Sequence, residues 1–208
     1  GATIAPLDPV RFLTNAASGL TGFQIAKYAL SQGRKVKVIA GKFATQRLDH
    51  LLAHPNFSLR RVVTSSNMKT EVLSALLDYP HYISSAAIGD FSFQSSNEKI
   101  KKETMPTKLS IKSESDILKS VLDTKRSKKV VGFAAESELT EKMLTEKFKK
   151  KPVDLLIGTK VNNGLMKDTK LQGFSNDDAD YLILDSNQNF TKAQLSKTQL
   201  AEFIMDRM

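Results

Sequence analysis

The chain has 208 residues, 40% of them hydrophobic and 25% charged, which is the balance of a water-soluble globular protein with one sizeable core. No apolar run approaches the ~20 residues of a membrane span, no secretory leader is recognisable, and the lack of cysteine excludes disulfides and thiolate metal sites, so a cytoplasmic protein is expected. Lys and Arg number 31 against 22 Asp and Glu, a formal charge of +9 that draws anions, either nucleic acid or a small polyphosphate.

In chain order, the first ten residues (G-A-T-I-A-P-L-D-P-V) read as a turn. A helix is predicted from Gly19 to Gln32, because Ile25, Ala26, Ala29 and Leu30 recur on one face and Gly33 supplies a left-handed stop. Val36–Ala40 and Leu59–Thr64 read as strands, and a helix follows over Met68–Asp78, carrying Val72, Leu73, Leu76 and Leu77. Tyr82–Ile88 is the next buried strand. Phe91–Ile111 is polar and basic and ends in an alternating strand signal at Thr107–Ile111. Asp116 stands just before an apolar helical run, in the place of a capping carboxylate. Val130–Ala134 and Val153–Gly158 are strands, with a basic helix over Thr140–Lys150 between them. The stretch 162–180, rich in Asn, Asp, Gly and Lys, reads as a loop. Tyr181–Asp185 is a late strand, and Ala193–Arg207 a final amphipathic helix with Thr191 and Gln194 at capping-box spacing.

This alternation implies an α/β fold: a Rossmann-like, three-layer, doubly wound and mostly parallel sheet in a single domain over 1–208. Residues 91–112 form a small antiparallel arm and flap. The first helix lacks a preceding strand, which would be central in such a sheet. The expectation is that about six to eight apolar residues lie upstream, the length of one strand.

Ligands of an open α/β sheet collect at the carboxyl ends of its strands. Here those ends are Ala86–Asp90, Gly132–Glu136 and Gly158–Lys160, small residues with polar groups just beyond. Ser18, Gly19 and Gly22 lead into a helix N-terminus whose amides and dipole favour a phosphate, although tight helix packing explains a G-x-x-G as readily. A dinucleotide enzyme wants an acidic residue after its second strand; Gly41 and Lys42 stand there, and no Tyr has a Lys four residues on. A nicotinamide cofactor is therefore disfavoured.

Positive charge clusters at Lys99–Lys102, Lys125–Lys129 and Lys147–Lys151, with few aromatics nearby and no Trp, so no stacking platform for single strands is evident. Lys147 and Lys151 share a helix face and repel by about 0.2–0.5 kcal/mol, a sign that a bound polyanion would reverse; a plain basic surface is the alternative. Asp116 is either a cap or a ligand contact. His50 and His54 have helical zinc-pair spacing without the glutamate base. Asp185-x-Asn187-x-Asn189 begins like a calcium loop but has Phe190 and Ser196 where Gly and Glu are needed.

Five segments, in order over nearly the whole chain, resemble the motifs of phosphopantothenoylcysteine synthetases. They are Pro6-Leu7-Asp8-Pro9-Val10-Arg11-Phe12-Leu13-Thr14-Asn15 with Ser18, Gly19 and Gly22; Ala86-Ala87-Ile88-Gly89-Asp90-Phe91; Lys99-Ile100-Lys101-Lys102; Val131-Gly132-Phe133-Ala134-Ala135-Glu136; and Gly173-Phe174 with Asn176-Asp177. The resemblance implies a ligase of coenzyme A biosynthesis in its separate, single-activity bacterial form. The carboxylate of 4′-phosphopantothenate would attack the α-phosphate of a nucleoside triphosphate, CTP in bacterial members, with Mg²⁺. Cysteine would then displace the nucleotide from the acyl-nucleotidyl intermediate.

By the same resemblance, Asn15 and Lys99 are the catalytic residues. Arg11 reaches a substrate bound in the partner subunit, Ser18, Gly19 and Gly22 meet its phosphate, and Ala86, Ala87 and Asp90 line the cleft. Asp116, Phe133, Lys147 and Lys151 contact the nucleotide together with Lys99, and Lys101–Lys108 form a flap. The resemblance further implies a homodimer joined partly through the arm. It identifies no metal ligands, and no flavin, nucleic acid or membrane partner is expected. Departures from the motifs stand at Ala5, Ala17, Leu20-Thr21 and Gly158-Thr159-Lys160; the absent hydroxyl at Ala17 removes one phosphate donor. A flavin- or nucleotide-binding module of the same fold without ligase activity is the alternative.

Overall fold

A computed structural model of the chain describes residues 1–104, 106–162 and 178–208. Strands β1 (Ile4–Pro6) and β2 (Phe12–Thr14) form a short antiparallel hairpin, with Ala5 opposite Leu13. Helix α1 (Leu20–Ser31) follows Gly19, whose φ of 84° is a left-handed value that glycine adopts without strain. Strands β3 (Val36–Gly41) and β4 (Phe57–Val62) pair in parallel around a 3₁₀ turn over Gln46–Ala53. Helix α2 (Ser65–Ala75) starts in a capping box between Thr64 and Asn67 and leads to β5 (His81–Ser84). The arm is a second small hairpin of β6 (Phe91–Phe93) and β7 (Ile111–Ser113).

The second half alternates regularly. Helix α3 (Ile117–Thr124) is capped by Asp116, which accepts the Lys119 amide at 2.9 Å. Then come β8 (Lys129–Glu136), α4 (Glu141–Lys150) capped by Thr140, β9 (Leu155–Lys160), β10 (Asp178–Asp185), β11 (Phe190–Ser196) and α5 (Lys197–Met205).

The central sheet has the order β11-β10-β9-β8-β5. It is parallel through β5, β8 and β9 and antiparallel at β10 and β11. Successive residues point to opposite faces, so the apolar runs divide between two layers of helices. Val130, Leu156, Leu182 and Leu184 pack with Met68, Val72, Ile117, Val121 and Leu144 of α2, α3 and α4. Val131, Leu155, Ile157, Tyr181 and Ile183 pack on the other side with Ile25, Ala29, Leu200, Ala201 and Ile204 of α1 and α5. Each fully buried Leu or Ile here contributes about 1.5–3 kcal/mol relative to an exposed one.

Several expectations change. The stretch read as a loop over 162–180 gives way to β10 already at Asp178, and the strand read as Leu59–Thr64 is β4 at Phe57–Val62, with Thr64 capping α2. The opening residues are a hairpin rather than a turn, since Ile4 through Pro6 find partners in Phe12 through Thr14. The arm strand lies at Ile111–Ser113, later than the Thr107–Ile111 signal, because its register is set by Phe91–Phe93. Residues Ala193–Ser196 belong to β11, and the last helix starts at Lys197 with Ser196 and Gln199 as its capping box. There, seven cross-strand pairs with β10, from Asp178–Ser196 to Leu184–Phe190, outweigh the helical preference of the segment. The strand read as Tyr82–Ile88 keeps its ladder only to Ser84, after which the chain turns along the rim.

The β3–β4 pair stands apart from the central sheet, and an apolar cleft of about 470 Å³ lies between β3 and β5, bordered by α1 and α2. A parallel bridge between Ala2 and Ala87 spans one end of it. There Gly41 lies so close to the Ala2 carbonyl that a Cβ at position 41 would come within 1.7 Å of the oxygen.

Candidate functional site

The carboxyl end of β5 carries the segment 85–90 along the rim of the sheet. A buried polar network holds this segment. The Thr3 hydroxyl accepts the Gly89 amide at 2.9 Å, and the Ser65 hydroxyl donates to the Gly89 carbonyl at 2.8 Å. The two hydroxyls lie 3.0 Å apart, with Thr3 and Ser65 only 1% and 5% exposed. Both polar groups of the Gly89 peptide are thereby satisfied from inside the protein, which fixes the path of Ala86–Asp90. Neither Thr3 nor Ser65 was singled out from the sequence; a hydroxyl becomes recognisable in this role only once the fold brings position 3 against position 65.

Asn15 follows directly on β2 and donates its side-chain amide to the Ala87 carbonyl at 3.2 Å. Two predicted residues thus meet. Gly22, in the first turn of α1, faces the same strand end, where an added Cβ would stand 3.1 Å from the Ser85 hydroxyl oxygen. Ser18 accepts the Leu20 amide through its hydroxyl and the Thr45 amide through its carbonyl, so it shapes the entry to α1. The Asp90 carbonyl accepts the Glu114 amide at 2.8 Å, which ties the rim to the approach to α3.

One strand further along, β8 lies parallel to β5 with Ser84 opposite Gly132. Its last residue, Glu136, holds the Lys147 ammonium at 2.5 Å. Lys151 forms an ion pair with Asp116 at the start of α3. Partial burial works against the charge of Asp116, but the Lys119 amide and the Lys151 ammonium outweigh it and hold the carboxyl below its ordinary range. The shared helix face read for Lys147 and Lys151 therefore points at the ends of β8 and α3. Phe133 packs with the α1 and α5 layer, across the sheet from Asp116.

Arg11 is bound within its own chain. It pairs with Asp8, whose side chain is fully buried, and donates to the Ile100 carbonyl at 2.8 Å. Lys99, next to Ile100, is exposed, as are Lys101 and Lys102 in the expected flap. The late motif with Gly173, Phe174, Asn176 and Asp177 lies outside the described residues. The arrangement presents two lysines, a capped helix start and an anchored asparagine at adjacent strand ends, which suits a polyanion next to an amide-holding group.

The family described as DNA/pantothenate metabolism flavoprotein C-terminal domain matches residues 1–208. The chain belongs to this family. The coenzyme A biosynthesis bifunctional protein CoaBC of Escherichia coli (strain K12) is 33% identical over 85% of the chain. The chain spans 42% of that protein and 39% of its Bacillus subtilis (strain 168) counterpart. Among solved structures, the DNA/pantothenate metabolism flavoprotein from Streptococcus pneumoniae superposes with a TM-score of 0.79 at 24% identity, covering 100% of this chain and 94% of that one. A Cab2 variant in complex with phosphopantothenate-cysteine gives 0.75 at 14% identity, covering 100% and 83%. At these identities the structural likeness concerns the fold.

The DNA/pantothenate metabolism flavoprotein C-terminal domain fold here also exposes an apolar surface on its hairpins. Phe12 stacks on Phe43 at 5.3 Å, and Val10, Leu13 and Ile111 are each about half exposed or more. Among the described residues, no group of three or more His, Asp or Glu side chains gathers to hold a metal, and no helix is long and apolar enough to cross a membrane.

Proposed function

We propose that this domain is a phosphopantothenate–cysteine ligase of coenzyme A biosynthesis. The carboxylate of 4′-phosphopantothenate attacks the α-phosphate of a nucleoside triphosphate, CTP by preference, and pyrophosphate leaves. The cysteine amine then attacks the acyl carbonyl, and the nucleoside monophosphate departs as the amide forms. The names of the relatives support this reading. On the molecule itself, its main support is the convergence of Lys147 and Lys151 on the ends of β8 and α3, one strand from the Asn15–Ala87 contact.

In this reading Lys147 and Lys151 release their carboxylates and neutralise the triphosphate, which favours departure of pyrophosphate. Lys99 meets the nucleotide from the arm side. Asn15, held by the Ala87 carbonyl, orients the acyl group, and the Ala86–Asp90 segment lines the cleft. Ser18, Gly19 and Gly22 meet the phosphate of the pantothenate. Alignment of two substrates supplies much of the rate. Mg²⁺ would accompany the triphosphate, since it binds mainly through substrate phosphates and water. The exposed Phe12–Phe43 surface supports a homodimer.

The test is pyrophosphate release with phosphopantothenate, Mg²⁺ and each nucleoside triphosphate in turn. Release is expected with CTP, and amide formation only on addition of cysteine. The purified domain is expected to be colourless; flavin absorbance without turnover would favour a flavin-binding module instead.

A further inference from the structure

Asp8 is the most completely enclosed carboxylate among the described residues for which an ion pair is found: its side chain is 0% exposed. Such a group persists only where charge and hydrogen bonds compensate for lost hydration. Here they come from two distant parts of the chain. Within the β1–β2 turn, Oδ1 accepts the Val10 and Arg11 amides, each at 2.8 Å. Oδ2 takes the Arg11 guanidinium through Nε at 2.9 Å and through Nη2. From 92 positions away, the Ile100 amide also donates to Oδ2 at 3.2 Å. Arg11 completes the grip from the other side by donating to the Ile100 carbonyl.

Both backbone polar groups of Ile100 are therefore held by one ion pair. The residue before it is Lys99. The same hairpin that carries Asp8 at its turn carries Asn15 just past its far end, three residues of β2 away, about 10 Å at the usual strand rise. We propose that Asp8 is a positioning residue that sets the backbone of Lys99 relative to Asn15 by fastening the Ile100 peptide to the hairpin turn. This rests on the reading of Lys99 as a nucleotide contact. Held this way, Lys99 starts from a fixed backbone even though its side chain is exposed, so less ordering is left to do when the triphosphate binds. The grip needs a carboxylate. An amide at position 8 keeps one acceptor for Val10 and Arg11 but turns a donor toward the Arg11 guanidinium and the Ile100 amide.

The experiment compares the natural full-length protein with Asp8→Asn, Lys99→Gln and the double variant. Amide hydrogen exchange reads the clamp without any need for turnover. Asp8→Asn is expected to speed exchange at Ile100 by about tenfold or more while β8 and β9 keep their protection. Kinetics reads the link to Lys99. Asp8→Asn is expected to lower kcat by roughly 10–100-fold with little change in KM for phosphopantothenate. The double variant should then be no slower than Lys99→Gln alone. If Asp8→Asn proves too unstable, Asp8→Glu, which keeps the charge but shifts it by one methylene, should show the same pattern at smaller size.

Unchanged exchange at Ile100 would overturn the clamp. Loosened exchange with fully additive losses in the double variant would overturn its action through Lys99. Absence of turnover in the unsubstituted protein with any triphosphate would count against the ligase reading, and would leave the exchange result to decide the clamp.

Discussion

The carboxylate of Glu136, the last residue of β8, lies 2.5 Å from the ammonium of Lys147 near the end of α4. One helical turn on, Lys151 pairs with Asp116 in the same manner. Two like charges on one helix face are thus neutralised by acids from two other elements, and under the proposed ligase reading an incoming triphosphate would displace those acids. Side chains that are 45% and 27% exposed make the Lys147–Glu136 pair a weak contributor to stability, within about 1 kcal/mol. Glu136→Gln is therefore expected to leave the melting temperature nearly unchanged and to lower KM for the nucleotide about threefold, at most tenfold. Lys147→Met should raise that KM by about tenfold or more. Steady-state kinetics at fixed phosphopantothenate separates the two outcomes, and a rise in KM for Glu136→Gln would mean that the acid helps to hold the ligand.

The Thr3–Ser65–Gly89 network makes a second prediction, on stability. Ser65→Ala leaves Thr3 its bond to the Gly89 amide but strips the Gly89 carbonyl of its donor. An unsatisfied buried acceptor costs about 1–3 kcal/mol. For a domain of this length each kcal/mol lowers Tm by about 2–4 °C. A calorimetric Tm within 1 °C of the unsubstituted protein, at roughly the precision such a scan allows, would remove this network from the supports of the rim.

Much of this frame was legible beforehand. Ile25, Ala26, Ala29 and Leu30 are all buried, as their helical spacing required, and Leu155, Leu156 and Ile157 alternate between the two layers. The final hairpin was hidden because Thr191, Lys192 and Gln194 are polar and its partner strand decides its state. Its turn was visible in chemistry that reads equally as a failed calcium loop: the Asp185 carboxylate accepts the Asn187 and Asn189 amides, and Gln188 takes a φ of 64°. In the site, Lys147 and Lys151 share a face as helix geometry dictates, but their acidic partners follow from the crossover that packs α4 against β9 and β10 and so brings Lys147 to the end of β8. The grip of Asp8 on Ile100 spans 92 residues and has no local signature at all.

Acid stability follows from the carboxylates. The Arg11 guanidinium, against the opposing effect of burial and with help from the Val10, Arg11 and Ile100 amides, holds Asp8 far below its ordinary range. Asp116 is shifted the same way. Both carboxyls bind protons more weakly folded than unfolded. Their stabilisation is fully present above the unfolded value, about pH 4, and is lost as pH falls toward the folded values. Tm is expected to fall steadily below about pH 4, and Asp8→Asn should flatten that fall by removing the larger shift. Equal acid slopes for the two proteins would show that the Asp8 pair is not coupled to folding.

The last prediction concerns the surface that the hairpins expose. Phe12 and Phe43 stack on each other although they are 44% and 60% exposed, and Val10 and Leu13 beside Phe12 are 60% and 48% exposed. Isolated apolar residues on a surface are ordinary, but a stacked aromatic pair left exposed, as Phe12 and Phe43 are, is the kind of feature that a second subunit covers. A symmetric pair would bury the same residues on both copies. Sedimentation equilibrium is expected to give twice the chain mass for the unsubstituted protein. Phe12→Ser combined with Phe43→Ser should shift it to the monomer mass, because truncating aromatic anchors at the centre of an interface typically costs more than about 2 kcal/mol each. If Arg11, one residue before Phe12, also serves the neighbouring subunit's substrate, the double variant should lose activity along with the dimer. A dimer that survives both substitutions would move the interface to the arm around Ile111.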